Sequence, residues 1–134
     1  MAKRVFVSYD HSEDAHYRDL LSAWDANTDF DFEIDMRSPT VPIDSNEASV
    51  VQGSLTKKMK EAEYILVIIG KKSHSSKWMR WEIDRARQSD VNLKFAAVKI
   101  ANNSVPGNLP SYCAIASEFK LDKIENALKS AKKV

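Results

Sequence analysis

The sequence has little glycine and cysteine and no long apolar run. Its three glycines, Gly53, Gly70 and Gly107, stand far apart, so the chain has neither the glycine fingerprint of a Rossmann fold nor a Walker phosphate loop. Its one cysteine, Cys113, excludes an intramolecular disulfide and is typical of a reducing compartment. No apolar run approaches the roughly 18 residues of a membrane span, so we expect no membrane segment.

The charge is balanced overall but uneven along the chain. There are 20 Lys and Arg against 19 Asp and Glu, a net charge of +1, which argues against binding to nucleic acid or anionic membranes. Residues 10–35 hold nine acidic side chains and one basic, whereas residues 71–87 hold six basic and two acidic. These stretches are either solvated surface or two opposite faces that bind a phosphorylated ligand or a second copy of the chain.

The length of 134 residues is that of one domain, and we expect a single domain over residues 1–134. Met1–Arg4 lead directly into a strand-like segment, so no signal peptide is expected. Together with the single cysteine, this predicts a cytoplasmic protein.

Short β-branched or aromatic runs alternate with segments of helical periodicity. This alternation predicts an α/β domain with a five-stranded parallel sheet, helices on both faces and the flavodoxin-like strand order 2-1-3-4-5. Ser12 is expected to cap the first helix, and the third helix is expected over Trp78–Gln88. The predicted strands are Val5–Tyr9, Phe30–Ile34, Tyr64–Ile69, Leu93–Ile100 and Tyr112–Ala116.

Such a sheet also predicts where a ligand binds. Ligands of doubly wound sheets bind beyond the carboxyl ends of the strands, where the strand order reverses. Here that position is between the first and third strands. The loops expected to form the binding site are therefore Tyr9–Glu13 and Gly70–Trp78, with the proline-containing loop Asp35–Asn46 beside them.

Other chemistries lack the residues that they need. A receiver domain needs an aspartate at the end of the third strand, where this chain has Gly70 and Lys71. The segment Ser73–Ser76 has no strand-turn-helix nucleophile elbow and is interpreted as a loop. The three histidines and Cys113 show no metal-ligand spacing, so we expect no metal site.

One carboxylate stands out near the selected edge. Glu82 lies four residues after Trp78, so both project from one face of the third helix, one turn apart. Spacing alone allows two interpretations: an exposed glutamate that pairs with Arg85 or Lys77, or a carboxylate placed at the ligand-binding edge.

Three features together resemble a Toll/interleukin receptor (TIR) domain. They are VFVSYD at Val5–Asp10, the proline-containing loop after the second strand, and WMRWE at Trp78–Glu82. More narrowly, the chain resembles the short bacterial TIR-like proteins of the Thoeris antiphage system. The similarity runs in motif order from Val5 through Asp90.

The resemblance implies an enzyme that breaks the bond between nicotinamide and ribose in NAD+, of the NAD+ glycohydrolase or ADP-ribosyl cyclase type. Glu82 is then the catalytic residue, and NAD+ is a substrate, with no cofactor. The product is expected to be a cyclic or otherwise modified ADP-ribose, a diffusible nucleotide that activates a separate effector. A phage-derived trigger or a homo-oligomer is an expected partner.

The same resemblance assigns supporting roles to the loops around Glu82. Trp78 is expected to stack on a ring of the ligand, and the loop after the second strand is expected to gate the pocket or to reach the next protomer. The expected substrate-binding residues are Ser8, Tyr9, Asp10, His11, Asp35, Ser38, Gly70 and Trp78.

Two other functions remain open from the sequence. One is a non-catalytic TIR scaffold that recruits other TIR domains through its acidic and basic faces. The other is a nucleoside N-ribosyl transferase, which shares the topology and places a carboxylate at a similar edge.

Overall fold

The computed structural model describes residues 3–10, 14–24, 30–34 and 43–133, with the backbone alone at residues 15, 33 and 34. In these ranges five parallel strands form one sheet in the order β2-β1-β3-β4-β5, so the predicted α/β fold and strand order are confirmed. The elements are β1 Lys3–Ser8, α1 Ala15–Trp24, β2 Phe30–Ile34, α2 Ala48–Glu61, β3 Tyr64–Ile69, α3 Lys77–Arg87, β4 Lys94–Lys99, β5 Ala114–Ala116 and α4 Leu121–Lys129, with a 3₁₀ turn at Ser73–Ser75.

Strand β3 is the centre of the sheet. All six of its residues are buried, as expected for a continuous apolar strand covered on both faces. It pairs with β1 on one side and β4 on the other, and Ser8 lies opposite Val67 in the first of these registers. The carboxyl ends of β1 and β3 therefore lie side by side.

Helices cover the sheet on both faces. Val5 and Val7 of β1 pack with residues of α1 and α4, whereas Phe6 packs with residues of α2 and α3. Successive side chains of a strand point to opposite faces, so Ser8 follows Phe6 onto the side of α2 and α3. The predicted inward stripe of α3 is confirmed, because its members are fully buried: Met79, Ile83 and Ala86.

Several element ends differ from the sequence prediction. Strand β5 is shorter than expected because Cys113 N still donates to Pro110 O in a turn at 3.1 Å. Helix α3 begins one residue early, at Lys77. Helix α1 begins at Ala15, and the predicted cap Ser12 lies outside the described residues. None of the helices in the described part of the chain combines the length and apolarity that a bilayer crossing requires.

Candidate active site

The loop after β3 fixes where α3 begins. Gly70 N donates to Ser73 Oγ at 2.8 Å, and Ser73 Oγ donates to Ile68 O at 2.9 Å. The Ser73 side chain is buried, with 1% exposed. One hydroxyl therefore folds the chain back onto the end of β3 and keeps the start of α3 at the edge of the sheet.

Ser76 then caps α3. Its side chain accepts a hydrogen bond from Met79 N at 3.3 Å, which satisfies one of the amide groups that a helix start leaves without an internal partner. The segment Ser73–Ser76, interpreted from the sequence as a loop, contains a 3₁₀ turn followed by the cap of α3. A serine directly before an apolar helix is the signal that identifies such a cap.

The central feature of the site is a buried hydrogen bond between β1 and α3. Ser8 Oγ donates to Glu82 Oε1 at 2.7 Å, across 74 residues of sequence. Ser8 is 0% exposed and Glu82 is 1% exposed. The structure thus brings together the predicted catalytic residue and one of the predicted substrate-binding residues, at the edge that the topology selected.

The interpretation of Glu82 as an exposed partner of Arg85 is wrong. Arg85 instead donates two hydrogen bonds to Asp90, from Nη1 to Oδ1 at 2.7 Å and from Nη2 to Oδ2 at 2.8 Å. These bonds hold the pKa of the Asp90 carboxyl below its usual range. They tie the last turn of α3 to the turn that follows it, while Glu82 faces the sheet.

Trp78 lies one turn before Glu82 and is also largely inside the protein. It is 7% exposed and belongs to the core on the side of α2 and α3. Its ring meets Trp81 edge to face, with the centroids 5.9 Å apart. Most of its surface is therefore used in packing, and stacking on a ligand stays a prediction.

Tyr9 lies on the opposite face of the sheet from Glu82. Its side chain is 1% exposed and packs in the core beneath α1 and α4. The guanidinium of Arg18 forms hydrogen bonds with the side chains of Tyr9 and Asp19. These bonds raise the pKa of Arg18, and the bond with Tyr9 has the larger effect. Asp10 follows at the strand end, and its carbonyl accepts from Asp14 N at 2.8 Å. The sheet thus separates the Tyr9 side chain from the Ser8–Glu82 pair.

Gly70 has a steric reason to be glycine. A Cβ placed on it would lie 2.5 Å from Asp14 Oδ1 and 2.6 Å from Asp14 Cγ, too close for any real contact. Asp14 is 5% exposed and directly precedes α1. The carboxyl therefore packs on the bare Cα at the end of β3. Sequence reasoning placed Gly70 among the substrate-binding residues and missed this contact with Asp14, although an isolated glycine at a strand end can indicate close backbone approach.

Three predicted substrate-binding residues, His11, Asp35 and Ser38, lie outside the described residues.

The described part of the edge also carries basic side chains that the charge pattern indicated. Each of these is exposed on the loop after β3 or the first turn of α3: Lys71, Lys72, Lys77 and Arg80.

Cys113 is unsuited to nucleophilic chemistry. Burial raises the pKa of its thiol to about 12, so the thiol stays protonated at neutral pH, and the thiolate is the reactive form. Among the residues that the structure describes, no three His, Cys, Asp or Glu side chains form a group that could hold a metal ion.

A family model described as Thoeris protein ThsB, TIR-like domain, matches residues 6–104. The chain belongs to this Thoeris TIR-like family. The matched segment runs from β1 past the end of β4 and includes both Ser8 and Glu82. The resemblance drawn from the motifs is confirmed, and the protein is a TIR-type domain of antiphage defence. A search of curated proteins finds no match to this Thoeris TIR-like chain.

Proposed function

We propose that this Thoeris TIR-like domain cleaves the nicotinamide–ribose bond of NAD+, with Glu82 as the catalytic residue. The observation that supports it is the buried Ser8–Glu82 hydrogen bond at the carboxyl ends of β1 and β3, the edge at which doubly wound sheets bind ligands. Glutamate is almost never fully buried unless it is paired, because removing a carboxylate from water costs free energy. A carboxylate kept there at that cost is a candidate for catalysis.

The chemistry of NAD+ suits a site with one carboxylate. Ordinary glycoside cleavage uses one carboxyl group to protonate the leaving oxygen and a second one across the sugar. The nicotinamide nitrogen of NAD+ is already cationic and has no lone pair to protonate. It takes the bonding electrons and leaves as neutral nicotinamide. The positive charge that develops on the ribose is then stabilised by the negative charge of Glu82.

The ribosyl group must next be captured by a nucleophile. Water gives ADP-ribose, and attack by a group within the same nucleotide gives a cyclic product with no water added. We propose that the product is a cyclic or modified ADP-ribose that activates a separate effector. Because Glu82 is 1% exposed, we also propose that the segments covering it move before substrate reaches it, as expected of an enzyme that waits for a phage-derived trigger.

The first prediction concerns the substrate. Lysate of phage-challenged cells that express the protein is expected to release nicotinamide from added NAD+ and to yield one nucleotide product. Its mass is expected to be that of ADP-ribose less water if it is cyclic, or of ADP-ribose with a further group if it is modified. Nucleosides added in place of NAD+ are expected to stay intact. Chromatography with mass detection checks both. Base exchange on nucleosides with NAD+ untouched would support the transferase instead, and no reaction on either would support the scaffold.

The second prediction concerns the exposed lysines after β3. The triple variant Lys71→Gln, Lys72→Gln, Lys77→Gln is expected to raise the KM for NAD+ about tenfold. Each exposed charge contributes up to about 1 kcal/mol of attraction to the pyrophosphate, and about 1.4 kcal/mol in total is tenfold. Steady-state kinetics at an ionic strength of about 0.1 M measure this, because the Debye length there is about 10 Å and the effect is limited to charges close to the ligand.

The matched control removes three exposed lysines elsewhere. Lys123 and Lys129 lie on α4, and Lys133 follows it. Changing these three to glutamine alters the net charge equally and is expected to leave the KM within about twofold, since charge effects fall off beyond a Debye length of about 10 Å. Equal KM values for both triple variants would contradict a role of the basic loop in binding NAD+.

A further inference from the structure

We infer that Ser8 positions the Glu82 carboxylate for catalysis and does not itself bind the substrate. This rests on the proposed function and changes the role that the sequence motif suggested for Ser8. The group concerned is the hydroxyl that donates to Glu82 Oε1 at 2.7 Å.

The Ser8 hydroxyl has one hydrogen to donate, and Glu82 receives it. A serine hydroxyl offers a single O–H donor, and the Ser8 side chain is 0% exposed. A substrate would have to displace Glu82 to gain the same bond. An acceptor group of the substrate that took this hydrogen would therefore remove the contact that holds the proposed catalytic group.

The donor stands on a rigid element. Ser8 is the last residue of β1 and lies opposite Val67 in the register with the fully buried β3. The preceding residues Val5, Phe6 and Val7 are all apolar and 0% exposed, so Ser8 is the polar exception in this buried run. Burying a hydroxyl without a hydrogen bond is unfavourable, and Glu82 supplies the acceptor.

Holding Oε1 fixes the direction of a flexible side chain. Glutamate has three rotatable side-chain bonds, and a catalytic group must keep its geometry to within a fraction of an ångström. Misplacement by about 1 Å can lower a rate about 10²-fold. Loss of the Ser8 hydroxyl is therefore expected to lower kcat and to leave the binding of NAD+ unchanged.

The test compares Ser8→Thr with Ser8→Val in the triggered full chain. Threonine and valine have nearly the same shape, but only threonine keeps the hydroxyl. We expect Ser8→Val to have a kcat about 10- to 100-fold below that of Ser8→Thr, with KM values for NAD+ within about twofold of each other. Ser8→Ala is expected to lower kcat like Ser8→Val, without the added methyl groups.

Three results in this assay would overturn the inference. Equal kcat values for the threonine and valine variants would show that only packing matters at this position. A raised KM with an unchanged kcat would show that Ser8 binds the substrate. A faster reaction in Ser8→Ala would show that the hydroxyl restrains Glu82.

A second measurement needs no activity. The midpoints of chemical denaturation of Ser8→Ala, Glu82→Met and the double variant form a cycle. Methionine has nearly the length of glutamate but no oxygen to accept the Ser8 hydrogen bond, and contacting residues give non-additive changes. We expect the decrease in stability of the double variant to be smaller than the sum of the decreases in the two single variants. Additive decreases would overturn the inference. Absence of NAD+ cleavage by the wild type would instead refute the proposed function, and the cycle distinguishes the two failures because it is measured without substrate.

Discussion

Glu82→Gln is expected to lower the rate of NAD+ cleavage by about 10²–10⁴-fold while the domain stays folded. Glutamine has the shape of glutamate, and its carbonyl oxygen can accept the Ser8 hydrogen bond, so the packing between β1 and α3 is kept. It lacks the negative charge that stabilises the developing cation on the ribose. The effect should therefore fall on kcat, measured as nicotinamide release at saturating NAD+, with the denaturation midpoint close to that of the wild type.

Asp84→Asn is the matched control for Glu82→Gln. Asp84 lies two residues further on α3 and is exposed, and its Oδ1 accepts from Asn108 Nδ2 at 2.9 Å. An asparagine oxygen can accept the same bond, so this variant removes one negative charge from the helix and little else. Its kcat is expected within about twofold of the wild type. A similar loss in both variants would indicate a general effect of helix charge and would contradict a specific role of Glu82.

Gly70→Ala is expected to destabilise the domain by about 1–3 kcal/mol. The new Cβ would fall 2.5 Å from Asp14 Oδ1 and 2.6 Å from Asp14 Cγ, so the Asp14 side chain must rotate away or the start of α1 must shift. Asp14 is 5% exposed, so its carboxyl has to repack inside the protein when it moves away from the new methyl group. Urea denaturation measures the change in the free energy of unfolding.

The controls for Gly70→Ala come from the same chain. Gly53 lies inside α2, and a Cβ placed there meets nothing within 4 Å, so Gly53→Ala is expected to stabilise the domain by about 0.5–1 kcal/mol. The double variant Gly70→Ala, Asp14→Ala is expected to lose less free energy of unfolding than the two single variants lose in sum. A Gly70→Ala variant as stable as the wild type would contradict the close packing of Asp14 on Gly70.

Much of the fold could be predicted because local patterns matched the tertiary structure. The apolar run Tyr64–Ile69 and the alternating run Phe30–Ile34 became strands with the predicted bounds. The alternation of strands and helices restricts the topology strongly, which is why the strand order was predicted. Strand β5 was predicted two residues too long because the turn that joins Cys113 N to Pro110 O depends on backbone geometry and not on residue type.

The candidate site was predictable only in part. The four-residue spacing placed Trp78 and Glu82 on one helix face, and topology selected the edge. Whether Glu82 was exposed depended on the rotation of α3 against the sheet, which spacing does not determine. Its hydrogen bond to Ser8 joins residues that are 74 positions apart in the sequence. The bond forms only when the β1–β3 register and the start of α3 are both in place. The contact of Asp14 with Gly70 likewise exists only once α1 packs on the sheet.

The central claim is most directly tested by the nucleotides of phage-challenged cells. Nicotinamide release and the mass of the nucleotide product are measured in lysates from cells that express the wild type or Glu82→Gln at equal levels. The proposed mechanism predicts nicotinamide and a cyclic or modified ADP-ribose from the wild type, and neither above background from the variant. Equal amounts of the same product from both would contradict the assignment of Glu82 as the catalytic residue.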